Sequence, residues 1–356
     1  MSNLSETLPV IDIDVFLANH DSSERVQQEC RKAADALITY GAVLVHDSRV
    51  SEEDNNLFLD LVEDYFAQPL HELRKDERPD ISYQVGVTLE NTEKPKYPWT
   101  FLVIHPDPKC RFFWKMGTPP PYETQYPALN APNVIPQAPV FEDIWQPTME
   151  KWGKSMKDAV ENVAEMTAIG LGLPRDTIKG AGKYGPHLLG PTASDLTKYG
   201  KKDTILAGFH TDLNCLTIHG RSRYPGLHIW ARNTGKRIPV KFPPTGRFLL
   251  VQAGKQIEHL TGGLIKAGFH EVVVSEATVD TIAKRKLTHV DRPLIRVSST
   301  FFWHLSSDYD LSPQLTLAER AKTIDAMPEA EIANLYPPMK VGQQVQNELK
   351  HIALMA

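Results

Sequence analysis

The sequence predicts a mainly β core with flanking helices (α+β), arranged along the chain as helices first, strands after and a helical tail. Apolar residues recur at helical spacing before Pro174, most clearly over Phe141–Leu173. After about residue 185 the chain becomes a series of short β-branched or aromatic segments separated by turn residues, which is typical of an all-β sandwich or barrel. Helical spacing returns from Ser312.

The N-terminal region is expected to hold two short strands and two helices. Alternating apolar residues in Leu8–Phe16 predict the first strand, and the apolar spacing of Ser22–Tyr40 predicts the first helix. Gly41 ends that helix, and Ala42–His46 is expected to be the second strand. Ser51 begins the next helix, whose first turn contains two glutamates that suit the helix dipole.

A proline-rich stretch, residues 76–139, lacks regular periodicity and is expected to be a long but ordered loop region, because it carries many aromatic residues. Trp99–Ile104 is expected to be a short strand within it. The helix that follows, Phe141–Leu173, ends at Gly172 and Pro174 and is expected to back the β core. The predicted core strands are Leu213–His219, Leu227–Ala231, Phe248–Gln252, Val272–Ser275 and Leu294–Phe302.

Composition argues against several classes of protein. The chain has 356 residues, a formal charge of −5 from 39 basic and 44 acidic residues, and three cysteines. The acidic balance disfavours nucleic acid as a partner, and three cysteines are too few for a disulfide framework. No signal sequence and no apolar stretch of about 20 residues is found, so we expect a cytoplasmic protein without a membrane segment. Three regions, 1–120, 121–311 and 312–356, are expected to form one structural unit.

The pattern His-x-Asp occurs three times, beginning at His105, His210 and His289. On a strand, residues i and i+2 point to the same face, about 6–7 Å apart, and can therefore bind one metal ion. His105 lies in a proline turn and His289 in a charged connection before a proline, so both are expected to be loop residues. His210 differs because it follows small residues and precedes a predicted strand.

His210, Asp212 and His270 together offer two imidazoles and one carboxylate, and His270 begins another predicted strand. This donor set binds one face of an octahedral Fe(II) and leaves three coordination positions open. Zn(II) accepts similar ligands, and the three residues could also be ordinary polar residues, so these residues alone leave the identity of the site open.

Arg296 lies in an apolar predicted strand, on the same face as Ser298, Thr300 and Phe302. A buried arginine is costly unless it is paired. A guanidinium next to a hydroxyl makes a good carboxylate receptor, although an intramolecular salt bridge would satisfy the arginine equally well.

Several segments match one family in order: LPVIDIDVFL, GFHTDLNCLTI, FLLVQAGKQIEHLTGG followed by AGFHEVVV, and RVSSTFF. Over roughly residues 8–310 the chain resembles the isopenicillin N synthase-like Fe(II)/2-oxoglutarate-dependent oxygenases. The resemblance implies a double-stranded β-helix, or jelly-roll, core backed by the long helix. It also implies that His210, Asp212 and His270 hold Fe(II), and that Arg296 and Ser298 bind the distal carboxylate of 2-oxoglutarate.

The resemblance further implies an oxidation that uses O2 and releases succinate and CO2. The substrate would be a small organic molecule, attacked at an unactivated C–H bond by hydroxylation, desaturation or oxidative cyclisation. Its identity and the oligomeric state of the protein stay open. Weaker candidates for the substrate pocket, each of which could be core packing instead, are Tyr83, Val85, Trp99, Leu213, Asn214, Trp230, Phe302 and His304.

Two features depart from the family pattern. The family often places Asn-x-Tyr before the first histidine, with the tyrosine on 2-oxoglutarate, but HLLGPTASDLTKYG contains no clear match. The 26 residues from His270 to Arg296 are also more than is typical, and the insertion SEATVDTIAKRKLTHVDRP is expected to form an extra helical turn or a lid.

Three alternatives remain at this level. One is an iron oxidase of the isopenicillin N synthase type, which needs no 2-oxoglutarate and uses the arginine for its substrate. Another is a noncatalytic jelly-roll module that binds a metal or a small acid. A zinc hydrolase is disfavoured because no His-Glu-x-x-His motif is found.

Overall fold

The computed structural model describes residues 7–19, 23–90, 92, 107–243, 247–325 and 334–351. Trp99 and the predicted strand Trp99–Ile104 lie outside these residues. None of the described helices is long and apolar enough to cross a membrane. The helices in the described ranges are α1 (Ile13–Ala18), α2 (Glu24–Tyr40), α3 (Glu52–Phe66), α4 (Leu70–Leu73), α5 (Trp145–Gly170), α6 (Thr177–Ala181), α7 (Leu196–Tyr199), α8 (Lys255–Leu260), α9 (Glu276–Thr288), α10 (Leu315–Asp325) and α11 (Val341–His351).

The strands are short, and most of them follow the long helix, as the sequence predicts. They are β1 (Val10–Asp12), β2 (Ala42–His46), β3 (Gly86–Thr88), β4 (Cys110–Lys115), β5 (Leu188–Leu189), β6 (Thr192–Asp195), β7 (Ile205–His210), β8 (Leu216–His219), β9 (Leu227–Trp230), β10 (Arg237–Pro239), β11 (Phe248–Ala253), β12 (Phe269–Val273), β13 (Ile295–Ser298), β14 (Thr300–Trp303), β15 (Asp310–Leu311) and β16 (Met339–Lys340).

Two sheets build the core. The large sheet has the order β1-β2-β11-β8-β14-β5-β4-β6-β13, with β3 paired to β4, and the small sheet has the order β10-β9-β12-β7. Apolar residues of the two sheets meet in one cluster, in which Leu44 and Leu250 of the large sheet pack with Ile229 and Ile238 of the small sheet. Antiparallel sheets that pack in this way form a jelly-roll, so the predicted fold class is confirmed.

The two faces of the large sheet are defined by its register, because directly paired residues place their side chains on the same face. We call one row of paired residues the outer row. Its residues are apolar, are at most 1% exposed, and pack in the same hydrophobic cluster as the apolar stripe of α5. We call the adjacent row of paired residues the inner row, and it faces the small sheet. The outer row is Val43, Val251, Ile218, Phe301, Leu189 and Trp114, and the inner row is Ala42, Gln252, Thr217, Phe302, Leu188 and Lys115.

The first predicted strand, Leu8–Phe16, is shorter than expected. Only Val10–Asp12 is a strand, and it pairs in parallel with β2. The carboxylate of Asp12 then accepts a hydrogen bond from the backbone N–H of Asp14 and caps α1. An aspartate at this position satisfies a free helix N–H, which is why the chain turns into a helix where alternation alone predicts more strand.

The predicted strand Leu294–Phe302 is divided at Ser299. β13 pairs with β6, whereas β14 pairs with β8 and β5. At the division the Ser299 hydroxyl accepts a hydrogen bond of 2.7 Å from the indole N–H of Trp152 on α5. Ser299 therefore faces α5.

The insertion after His270 forms α9, which is a full helix and longer than an extra turn. Ser275 and Thr278 form a reciprocal capping box at its start. Near its end Arg285 contacts the buried Glu63 of α3 at 3.4 Å. These contacts attach the insertion to the helical side of the molecule.

Candidate active site

The small sheet brings two of the predicted metal ligands together. His210 ends β7 and pairs directly in register with His270 on β12, and the two imidazole ring centroids are 4.2 Å apart. Asp212 follows two residues after His210, and its Oδ1 is 3.8 Å from the Nε2 atom of each histidine. The ligand atoms of the three residues all lie within 4.8 Å of one another, a spacing that suits binding to one metal ion.

Backbone and side-chain hydrogen bonds orient these ligands. Nδ1 of His210 is 2.6 Å from the Gly208 carbonyl oxygen, and Nδ1 of His270 is 3.4 Å from the Gly268 carbonyl oxygen. A carbonyl oxygen only accepts, so each Nδ1 carries the proton and each Nε2 keeps a lone pair for a metal. Thr217 donates its hydroxyl to Asp212 Oδ2 at 2.7 Å, which leaves Oδ1 for the ion.

The electrostatics favour the protonation states that metal binding needs. Burial, together with the charge of His270, lowers the pKa of His210 to about 4. Burial alone would raise the pKa of Asp212, but the two histidines and the Thr217 hydroxyl outweigh it and lower that pKa. At neutral pH His210 is therefore a neutral imidazole and Asp212 an ionised carboxylate, as ligands require.

Arg296 is a buried cation without a carboxylate partner in the described chain. It is 5% exposed, and it donates from Nη1 to Ser298 Oγ at 2.7 Å and from Nε to the Pro225 carbonyl oxygen at 3.4 Å. Burial lowers the pKa of Arg296 to about 10, so the guanidinium is still charged at neutral pH. No salt bridge satisfies it among the residues described, and an anionic ligand fits the pair Arg296 and Ser298.

His219 was not among the residues predicted from sequence, yet it lies between the metal ligands and the arginine. It pairs in register with Thr300, and its ring centroid is 6.1 Å from that of His270. Burial, and to a smaller extent the charges of His270 and Arg296, lowers the pKa of His219 to about 3. The sequence pattern that could have identified His219 is the alternation of side chains along β8, because Thr217 and His219 are two residues apart on one strand and so share a face.

Some of the weaker pocket candidates lie close to this site. Phe302 belongs to the inner row beside Thr217, which touches Asp212. His304 is buried, which lowers its pKa to about 3, and the charge of Asp212 raises that pKa slightly, as expected for a near neighbour. Leu213 is partly buried, and its carbonyl oxygen accepts a hydrogen bond from Gln344 of α11.

Tyr83 and Val85 lie before β3 and outside any described contact with the metal ligands. Val85 is buried, and the partly buried Tyr83 packs against the main hydrophobic cluster.

Trp230 and Asn214, two further pocket candidates, make contacts that are typical of core packing. Trp230 pairs in register with Phe269, the residue next to His270, so its side chain lies on the opposite face of the small sheet, where it contacts Phe209. Asn214 is 1% exposed, and its amide donates to the backbone carbonyls of Leu216 and Trp303. Its role is to hold the loop before β8.

Two family models match this chain, one over its N-terminal part and one over its β core. Residues 8–138 match the family described as non-haem dioxygenase in morphine synthesis N-terminal, and residues 183–305 match the 2OG-Fe(II) oxygenase superfamily. Kihadalactone A synthase of Citrus sinensis is 24% identical over 295 residues, covering 77% of this chain and 80% of that protein. Clavatol oxidase of Penicillium crustosum is 24% identical over 302 residues, covering 76% and 82%.

The fold is also similar to that of solved structures. Full-length T7H of Neurospora crassa, in complex with alpha-KG, superimposes with a TM-score of 0.73 at 16% identity and covers 98% of each chain. Together with the two family matches, these comparisons show a 2-oxoglutarate-dependent oxygenase that uses Fe(II), 2-oxoglutarate and O2. The chain belongs to the 2OG-Fe(II) oxygenase superfamily.

Proposed function

We propose that His210, Asp212 and His270 bind the Fe(II) of this oxygenase and that Arg296 and Ser298 bind the distal carboxylate of 2-oxoglutarate. The substrate is then a small organic molecule that is oxidised at an unactivated C–H bond. The observation that carries this assignment is that Arg296 is buried and charged and has no carboxylate partner in the described chain. Arg296 lies on the same side of the jelly-roll core as His210 and His270, whose ligand atoms lie beside the Asp212 carboxylate.

When bound, Fe(II) with 2-oxoglutarate and O2 supplies an oxidant strong enough to remove hydrogen from a C–H bond, and 2-oxoglutarate leaves as succinate and CO2. The protein supplies the geometry. The Gly208 and Gly268 carbonyls fix the tautomer of each histidine, and Thr217 fixes the rotamer of Asp212. Arg296 orients the 2-oxoacid by pairing with its far end.

An anaerobic titration tests the metal and 2-oxoglutarate assignments together. Purified apoprotein is loaded with Fe(II), 2-oxoglutarate is added, and the weak visible charge-transfer band of the chelated 2-oxoacid is recorded. We expect the band in the wild type and its loss in His210→Ala, because the metal then loses one of its three protein ligands.

His228→Ala is the matched control. His228 is a buried histidine on β9 of the same sheet, and its Nδ1 is also 3.0 Å from a backbone carbonyl, that of Gly226. It pairs with Glu271, the neighbour of His270, so it lies on the face away from the metal ligands. The band should survive in this variant. Equal Fe(II) affinity in the wild type and His210→Ala would refute the ligand assignment.

Iron binding without a band would instead indicate an oxidase of the 2-oxoglutarate-independent type, in which Arg296 receives the acid group of the substrate. Oxygen consumption that does not depend on added 2-oxoglutarate would give the same answer. Both outcomes are distinct from failure of the metal site, because iron still binds.

A further inference from the structure

Strand β4 places two cations, Arg111 and Lys115, on the face of the large sheet that carries the metal site, because the two residues are four apart on one strand. Lys115 belongs to the inner row: it pairs with Leu188, Leu188 with Phe302, and Phe302 with Thr217. Thr217 hydrogen-bonds Asp212, so the inner row leads from Lys115 to the proposed iron site. Three strand spacings separate the backbones of Lys115 and Thr217, which corresponds to about 14 Å along the sheet.

An aromatic surface lies between the two ends of this row. Phe113, two residues before Lys115, shares its face of β4, and its ring centroid is 5.8 Å from that of Phe302 in an edge-to-face arrangement. Gly190 lies beneath both rings, and a Cβ atom there would come within 2.7 Å of each. The Arg111 guanidinium covers Phe113, at 3.9 Å from the ring centroid, whereas Phe302 stays partly exposed. Phe302 is therefore the part of this surface that is available to the apolar part of a ligand.

Lys115 has no carboxylate partner in the part of the chain that the structure describes. Its ammonium donates to the Asn130 amide oxygen at 3.3 Å, and burial alone lowers its pKa to about 8. Lys109, just before the same strand, differs because it lies 2.9 Å from the carboxylate of Asp107. A partly buried ammonium that pairs only with a neutral amide is incompletely compensated, and an incoming anion would compensate it.

We propose that the substrate is an organic anion, in which a carboxylate pairs with Lys115 and an apolar body lies on Phe302, between Lys115 and the iron. This inference rests on the proposed function, because it places the oxidised carbon at the iron end of the inner row. The acid group and the oxidised carbon are then at opposite ends of the substrate. Arg296 takes the cosubstrate and Lys115 takes the substrate, whereas Arg111 lies over Phe113 and donates to the Thr88 hydroxyl at 3.4 Å.

Matched pairs of probes test the proposal. A panel of aryl- and alkylcarboxylic acids and the methyl ester of each is titrated anaerobically into protein loaded with Fe(II) and 2-oxoglutarate. Binding is followed through the change that each probe causes in the visible charge-transfer band. A charge-assisted hydrogen bond predicts that at least one acid binds about tenfold or more tightly than its ester in the wild type.

Variants assign that preference to one side chain. Lys115→Met keeps the length of the side chain but removes its charge, so acid and ester should bind it with nearly equal affinity, whereas Lys115→Arg should retain the preference for the acid. Lys179→Met is the control, because Lys179 is a partly exposed lysine of α6 paired with Glu165, and the preference should be unchanged. The charge-transfer band itself reports that each variant is folded around an intact iron site.

The inference is overturned if no acid of the panel binds more tightly than its ester, or if Lys115→Met keeps the preference. Failure of the proposed function has a different signature: the wild type would show no charge-transfer band before any probe is added. The two hypotheses can therefore fail separately.

Discussion

The two faces of the large sheet differ in what they bury. The outer row is wholly apolar and packs against α5, whereas the inner row contains Thr217, Gln252 and Lys115 among its six residues. Strand β8 shows the contrast between adjacent residues. Ile218 is fully buried in the main hydrophobic cluster, and Thr217, one residue earlier, is equally buried but donates its hydroxyl to Asp212.

This contrast separates stability from function. Apolar burial on the outer face stabilises the fold, while polar groups buried on the inner face lower stability unless hydrogen bonds or ligands compensate them. Arg296 illustrates the cost, because the described chain offers it a hydroxyl and a carbonyl but no carboxylate. Substitutions on the inner face should therefore change ligand affinity with little loss of stability, and substitutions on the outer face should do the reverse.

The largest effect is expected for Arg296→Met. Truncating one partner of a buried charged pair costs about 2–5 kcal/mol, so the Kd for 2-oxoglutarate should rise by about thirtyfold or more. The free energy of unfolding of the ligand-free protein should not fall, because an uncompensated buried charge has been removed. Anaerobic titration of the charge-transfer band measures the first quantity and urea denaturation the second. An unchanged Kd would mean that 2-oxoglutarate does not reach this arginine.

Ile218→Ala tests the outer face on the central strand β8. Removing buried methyl and methylene groups should lower the free energy of unfolding by about 2–5 kcal/mol, which urea denaturation measures. Fe(II) and 2-oxoglutarate affinities of the folded variant should stay within a factor of about two. A large loss of 2-oxoglutarate affinity with little loss of stability would break the division between the faces.

Much of the site could be predicted from sequence because it is encoded in local strand patterns. His210 and Asp212 are two residues apart at a strand end, and Arg296 and Ser298 alternate on one strand, so each pair converges without knowledge of its neighbours. The fold class followed in the same way, from the order of helical and strand periodicity.

Non-local pairing is what the sequence could not supply. Trp230 alternates correctly within β9, but only its register with β12 decides that it faces away from His270. Lys115 was missed because β4 lies in the proline-rich stretch, where no flanking pattern predicts a strand, and its pairing with β5 spans about seventy residues of chain. Side-chain alternation defines two faces, and long-range register decides which of them is inside.

Thr217→Val sharpens the comparison because the new residue has nearly the same shape. It removes the hydrogen bond to Asp212 Oδ2 and leaves the rotamer of that ligand unsupported. Loss of a partner of this kind typically lowers metal affinity about 10- to 100-fold. Competition with a chelator measures the Fe(II) affinity, and the control is Thr197→Val, at an exposed threonine whose hydroxyl donates to Asp195 at the start of α7. Equal Fe(II) affinity in Thr217→Val and the wild type would show that Asp212 is held by other contacts.

The smallest predicted effect is that of His219→Leu. His219 lies between His270 and Arg296, so 2-oxoglutarate bound between the iron and the arginine passes beside its imidazole. Both ring nitrogens already have partners, since Nε2 lies 2.7 Å from Gln252 Nε2 and Nδ1 lies 3.3 Å from Thr300 Oγ1. Loss of such a neutral hydrogen bond corresponds to about 0.5–1.5 kcal/mol, so the altered wall should raise the Kd for 2-oxoglutarate by at most about two- to tenfold, with Fe(II) affinity unchanged. The double variant with Arg296→Met makes the test specific. If both residues act on the same bound 2-oxoglutarate, their effects should be non-additive, whereas simple addition would mean that His219 acts only through packing on the inner face.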